Sequence, residues 1–585
     1  MQYVVHENEE KNKMTQFKIA VDDGKYTKYS YLNMKTMKAA VEQPNINPVF
    51  NKLFNQDIIE VDLESPLTMK LLHSSVRSMK NIPGVLVLDS RKTYGKLKTR
   101  FYYKCIPDDR RLPMFLIPYA EKILFEKKRH NKYIIFEFHS WTGKHPTGRI
   151  MANLGDVTEL ESFYEYQLYC KSLYASIQKF SSNTKRRLRL FTEEQHIKHM
   201  DAYFEFEDRT NDIIFTIDPV SSKDFDDAFG LVIKESEFIL SIYISNVSFW
   251  FGLLNLWDSF SERISTIYLP DRKRPMLPTV LSNAICSLTE NDNRFAFTLD
   301  LHIDKTTMEI KNKKFLNTKI KVRKNYRYDT NELEETNVLC IYKMVKELNK
   351  KYKYVETITS THDMIAYLMI LMNYYSAREL KKNETGIYRS AKLNHSYRPP
   401  VTVPDDIQKF LKIWHSFGGK YTKFENIDGH DMLDFDAYVH ITSPIRRLPD
   451  FLNILKLQDV LGLVSLQGEA LKFYTEWTSD ESIDYINQTM RSIRRVQNEC
   501  SLLNMCQKDD TITKKIYRGY VFDKIKRNDG LYQYMVYLPK IKMTSRITSR
   551  HDMDLNSSYE FKIYVFVDEA RLKHKIRLEI LKVYA

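Results

Sequence analysis

Hydrophobic and polar positions change period along the chain. Between residues 71 and 160 short apolar runs bounded by turn residues dominate, among them Gly84-Val85-Leu86-Val87-Leu88, Met114-Phe115-Leu116-Ile117-Pro118 and Tyr133-Ile134-Ile135-Phe136-Glu137-Phe138. Runs of this length predict β-strands. Residues 1–70 show the habit more weakly, ending in Asp57-Ile58-Ile59-Glu60-Val61-Asp62. From 205 to 510 the periods mix. Phe238, Leu240, Ile242 and Ile244 alternate as in a half-buried strand, whereas Ile365 to Leu380 and Phe451 to Leu463 have helical length and spacing. Pro449 sits where a first-turn proline is tolerated, and Met490, Ile493, Val496 and Leu503 extend a helix over 485–508. Strand rhythm returns in Tyr517-Arg518-Gly519-Tyr520-Val521, Gln533 to Leu538 and Tyr559 to Val567. The expected domains are 1–70, 71–160, 205–510 and 511–585, with 161–204 as linker.

A chain of 585 residues is too long for one core, and 43% hydrophobic with 28% charged residues excludes the disordered and fibrous classes. Lys plus Arg (89) against Asp plus Glu (75) leaves +14. That excess favours a polyanionic partner, although drift towards Lys, Asn, Ile and Tyr would yield the same figure. The six cysteines lack CxxC spacing, which excludes a zinc module and a disulfide framework and fits a reducing compartment. Met1 to Glu7 is too polar for a secretory signal, and no apolar run is long enough to cross a bilayer. A cytoplasmic or otherwise intracellular protein without a membrane partner is expected. Gly143 to Gly148 has P-loop glycine spacing, but Arg149-Ile150 replaces the phosphate-holding Lys-Ser/Thr.

The densest chemistry lies in Asp218-Pro219-Val220-Ser221-Ser222-Lys223-Asp224-Phe225-Asp226-Asp227, directly after the apolar run Ile213 to Ile217. Pro219 keeps Asp218 extended, so a buried strand should end there and hand over to a loop. Strand alternation sends Asp224 and Asp226 to one side and Asp227 elsewhere. Carboxylates so crowded repel and hold protons unless a cation neutralises them. Hard oxygen ligands suit Mg2+ or Mn2+, not zinc. An EF-hand is excluded, because Ala228 and Phe229 stand where a ligand and a glycine are needed. A solvated acidic turn would explain isolated aspartates; four acids behind an apolar strand favour a metal site.

The segment resembles the signature of the RNB catalytic domain of the ribonuclease II family of processive 3'-to-5' exoribonucleases. The similarity continues through Tyr268-Leu269-Pro270, Pro275-Met276-Leu277-Pro278, Leu281-Ser282-Asn283 with Cys286-Ser287-Leu288, and Thr442-Ser443-Pro444-Ile445-Arg446-Arg447. It is strongest at 205–300 and 436–455, weakest before 70, and nearer the exosome-type eukaryotic branch without that branch's N-terminal endonuclease domain. It implies a multidomain α+β fold: N-terminal cold-shock-like OB barrels, a central mixed α/β RNB domain and a C-terminal S1-like OB barrel. OB barrels bind single strands through basic grooves and stacked aromatics. Tyr102, Tyr103 and Trp141 could serve there or simply fill a β core. The basic run Lys185-Arg186-Arg187-Leu188-Arg189 reads as a solvated helix face or a contribution to an RNA channel.

By the resemblance Asp218, Asp224, Asp226 and Asp227 surround a centre of Mg2+ (or Mn2+), with Asp226 mattering most for turnover. Two such ions about 3.5–4 Å apart would serve the entering and leaving oxygens. Asp226, Asp227 and Arg446 are the implied catalytic residues, Arg446 reaching the scissile phosphate. Tyr268 and Tyr328 are the implied nucleotide contacts. The partner is single-stranded RNA, handled by a monomer with room for a larger RNA-decay complex. The chain departs from the family at Asn246, where an acid is usual, and at Ala366-Tyr367, which replace an acidic pair that includes the ribose reader. A glutamate of bacterial members aligns with Gln497. The stretch after Tyr328 is shortened, with loss of a hairpin bearing a stacking aromatic. An RNA-binding protein of RNB fold with impaired catalysis is the alternative.

Overall fold

Strand Met14–Val21 buries Phe17, Ile19 and Val21 and turns the residues between them outward, so alternation here builds a one-sided sheet. The computed structural model describes residues 14–62, 69–120, 129–328, 336–416 and 418–582. The chain divides into two units, one of residues 1–174 with 498–585, the other of residues 175–497.

In the first unit Tyr29–Asn33, Met14–Val21, Ile58–Asp62 and Met69–His73 form a sheet in that order. A second sheet runs Ile82–Leu86, Lys132–Ser140, Thr147–Asp156, Phe115–Tyr119, Arg100–Pro107, and closes because its first strand also pairs with Arg100–Pro107. Closure removes exposed edges. The two sheets share a core: Phe54 stacks on Phe115 at 5.9 Å and lies 4.8 Å from Trp141. Trp141 and Tyr103 are buried there, while Tyr102 keeps partial exposure. A Cβ at Gly148 would meet the Ile117 and Phe136 side chains below 3 Å, so the barrel packs only around glycine. The C-terminal strands form a five-stranded sheet in the order Met543–Ser549, Tyr532–Leu538, Ile516–Lys526, Ser558–Asp568, Lys573–Lys582. Lys573 Nζ bonds Asp108 Oδ1 at 2.6 Å, tying this sheet to the second barrel with both side chains largely buried.

The expected linker 161–204 is instead helical, in Leu160–Cys170, Gln178–Leu188 and Glu193–Tyr203. Phe180 and Met200 enter the second unit's core, which is why this stretch is no tether. Lys185, Arg186 and Arg189 of its basic run are exposed.

The second unit is built on a seven-stranded sheet ordered Glu207–Arg209, Ile310–Lys321, Asn293–Asp304, Glu237–Ser245, Asp227–Ile233, Ile214–Asp218, Lys324–Arg327. Strand Glu237–Ser245 is buried on both faces from Leu240 onward, contrary to its half-buried reading. Leu240, Ile242 and Ile244 pack with Val338, Ile341, Leu368 and Leu371 from helices Thr336–Lys351 and Thr361–Lys382. On the other face Tyr243 meets Phe225 and Leu288, and Ser241 bonds Asp300. Alternation vanishes because both faces are covered. Helices Leu448–Val460, with Pro449 in its first turn, and Asp480–Lys508 complete the predicted set.

Candidate active site

Strand Ile214–Asp218 ends at Pro219 as the proline requires, and the chain loops back to enter strand Asp227–Ile233. Two short contacts fix the loop between them. Phe225 N–H donates to Ser287 Oγ at 2.9 Å, and Leu288 N–H donates to Phe225 O at 3.0 Å. The Cys286-Ser287-Leu288 block is thus the clasp of the acid loop.

The Ser443-Pro444-Ile445-Arg446-Arg447 turn arrives from more than two hundred residues away. Ile445 N–H donates to Asp226 Oδ1 at 2.9 Å, and Arg446 Nε donates to Asp226 Oδ2 at 3.2 Å. Asp226 is 4% exposed, whereas the Arg446 side chain is 45% exposed. Arg447 turns away to Asp450 at 2.7 Å, and Asp450 in turn accepts Ser443 N–H. Arg447 therefore shapes the turn. Thr266 N–H donates to Arg446 O and Leu448 N–H to Ile264 O. That pairing sets the hairpin Ile267–Tyr268 with Lys273–Arg274 beside the acids, where Tyr268 and Lys273 stand opposite one another.

Burial pushes Asp226 up to about 7, against the pull of Arg446 and the Ile445 N–H. It pushes Asp218 up to about 6. Asp227 is raised well above the carboxylate range, first by burial and then by the charges of Asp218 and Asp226. Asp227 therefore lies within reach of the charges of Asp218 and Asp226, where alternation had set it apart. The strand begins only at Asp227, and the residues before it form a loop, so a period of two does not apply. Asp224 is the member held apart: its Oδ1 accepts Lys273 Nζ at 2.8 Å.

Tyr268 is 42% exposed as a residue, has its backbone N–H on Gln497 Oε1 at 3.1 Å, and its phenol is pushed up to about 12 by burial. Tyr328 follows strand Lys324–Arg327, whose Arg327 lies in register with Asp218; Tyr328 N–H donates to Asp218 O at 3.1 Å. Its hydroxyl is raised by burial and by the charges of Asp227 and Asp218, and its ring lies 5.5 Å from that of His362. All seven expected residues thus gather around one acid cluster. Lys273 joins the cluster without having been expected, and Ser287 of the Cys286-Ser287-Leu288 block supports its loop. In the sequence Lys273 is marked only by its place in the basic run Arg272-Lys273-Arg274.

The sequence model of the RNB domain matches residues 206–354, which hold the acid loop, Tyr268 and Tyr328. This stretch is an RNB domain. A second model, the Dis3-like cold-shock domain 2, matches residues 102–166. The DIS3-like exonuclease 2 of Schizosaccharomyces pombe is 27% identical over 239 residues, covering 38% of this chain and 25% of that protein. This chain therefore aligns with only a quarter of that relative. Mycoplasma genitalium RNase R, solved in complex with ribose methylated single-stranded RNA, has a TM-score of 0.66 at 17% identity, over 96% of this chain and 100% of that one. Yeast Ssd1, described as a pseudonuclease, has a TM-score of 0.57 at 13% identity, over 94% and 80%. At these identities the structural likeness is one of fold.

Within the RNB domain Asn246, where the family usually has an acid, lies directly after the end of strand Glu237–Ser245. It precedes helix Val247–Leu253, is 1% exposed, and joins Asn317, Ser248 and Gln458 in a buried amide and hydroxyl network. Beyond the domain's matched residues, Tyr367 is wholly buried with its hydroxyl on Tyr352 O at 3.1 Å, and Ala366 contributes no polar group. Of the shortened stretch after Tyr328, residues 329–335 lie outside the described residues, and Thr336–Lys351 is helix.

Among the described residues no three His, Cys, Asp or Glu side chains converge as a ready metal cage. Asp224 and Asp226 already have partners in Lys273 and Arg446. Asp218 differs: its Oδ2 is buried without a hydrogen-bond partner. An orphaned carboxylate oxygen is costly unless a cation meets it. With Asp227 beside it, the pair fits one hard divalent ion.

Proposed function

We propose that the chain is a processive 3'-to-5' hydrolytic exoribonuclease that degrades single-stranded RNA to nucleoside 5'-monophosphates, with Mg2+ or Mn2+ in the acid centre. The observation that carries this reading is the convergence of Ile445 N–H and Arg446 on Asp226, beside Asp218 and Asp227, inside an RNB domain. When bound, the ion supplies positive charge against the phosphate and acidity to water. Asp218 and Asp227 are the residues to hold it. Asp226 orients Arg446, whose partly exposed side chain would meet the scissile phosphate and stabilise charge developing there. Tyr268, partly exposed, offers a stacking surface for the terminal base, and Tyr328, near Asp218 and Asp227, would be a second nucleotide contact. The excess of basic residues supports a polyanionic substrate.

Incubation of the full chain with 5'-labelled single-stranded RNA and Mg2+ should yield a shrinking ladder and 5'-monophosphates. Asp226→Asn should slow it by about 100-fold or more while RNA affinity stays close to that of the parent. Cleavage that survives a chelator would overturn the metal-dependent reading. Ala366 and Tyr367, which leave no acid to read the ribose, favour a second reading, an RNB-fold protein that holds RNA without cutting it. RNA binding with no product under any divalent ion would select that one.

A further inference from the structure

Lys273 enters the acid centre on the strand opposite Tyr268. Its ammonium donates to Asp224 Oδ1 at 2.8 Å and to Asn283 Oδ1 at 3.2 Å. Both side chains of the ion pair are mostly shielded, Lys273 at 24% and Asp224 at 11% exposure. The supporting hairpin is fixed: Arg274 is 6% exposed and bonds Asp271 at 2.6 Å, and Tyr268 N–H is on Gln497. Asn283 is itself steadied by Ser282 Oγ at 2.9 Å. The charge is therefore delivered by a rigid element and met by two oxygens, one of them a carboxylate of the acid loop.

A divalent ion using Asp224 would have to displace this ammonium or lie against it, and like charges repel strongly where water is scarce. Asp218 Oδ2 has no hydrogen-bond partner and no ammonium on it, although the charges of Arg327 and Arg446 act on this carboxylate. We propose that Lys273 fills one of the two cation positions of the centre, so that this chain binds a single divalent ion, on Asp218 and Asp227, with the lysine ammonium on Asp224 as the second positive charge. The inference rests on the metal-dependent reading above and specifies it. Lys273 is a positioning residue, acting on the charge and geometry of Asp224.

Titration of the metal-free full chain with Mn2+, read from the free-ion electron paramagnetic resonance signal, counts bound ions without reference to activity. One ion per chain is expected for the parent and for Lys273→Arg, and two for Lys273→Met and Lys273→Gln, with circular dichroism confirming that each is folded. Two ions on the parent would overturn the proposal on their own, whether or not the variants fold. One ion on folded Lys273→Met and Lys273→Gln would overturn it as well. No ion on the parent would remove the metal reading itself, and with it this proposal. Asp218→Asn supplies the control, since its loss of the parent's single ion locates that ion.

Discussion

Asp218 and Asp226 are acids placed where an acid does not want to ionise. In an unfolded chain an aspartate titrates near 3.9; here burial moves Asp218 to about 6 and Asp226 to about 7. Between about pH 4 and 7 the metal-free folded chain thus holds protons that the unfolded chain has released, so these two groups lower stability as pH rises through that window. Thermal melts in a chelator should show their share of a falling Tm from acid to neutral pH. Asp218→Asn should flatten the slope around pH 5 to 6, and Mg2+ should raise Tm more at pH 7 than at pH 5. Protonation of Asp226 would weaken its hold on Arg446 and protonation of Asp218 would compete with metal, so degradation should weaken as pH falls through about 7 and then 6.

At the scale of elements, the hairpin Ile267–Tyr268 with Lys273–Arg274 carries an aromatic and an ammonium to one place, and Gln497 of helix Asp480–Lys508 holds it. Gln497→Ala removes one hydrogen bond worth about 0.5–1.5 kcal/mol. RNA affinity measured by fluorescence anisotropy should weaken about two- to tenfold, with the cleavage step at saturating RNA little changed. A larger effect on turnover than on affinity would contradict this role. The acid loop, the Tyr268 block and the Arg446 turn were readable because each is a short run whose residue types are themselves the chemistry. The Lys273–Asp224 bond spans forty-nine positions and exists only because hairpin and loop are folded together. Likewise Leu240, Ile242 and Ile244 record burial on one face, but nothing local in Ser241, Tyr243 and Ser245 announces that the other face is covered too. The network around Asn246 was illegible for the same reason, since Asn317 and Gln458 lie far along the chain.

For the molecule as a whole, the unit holding the N-terminal barrels is completed by the last strands of the chain. Lys573 and Asp108, 8% and 12% exposed, are an ion pair within it. Lys573→Met leaves Asp108 buried and uncompensated, at a cost of about 3–5 kcal/mol. Urea unfolding followed by tryptophan fluorescence, with Trp141 reporting on the barrels, should show a correspondingly earlier transition; an unchanged midpoint would mean that the pair contributes nothing. During synthesis residues 175–497 leave the ribosome before residues 498–585 do. The first barrels must wait, already translated, until the final segment emerges to cover them. A nascent chain stalled late in translation would present an unfinished surface to chaperones and proteases, although its acid loop had been synthesised long before.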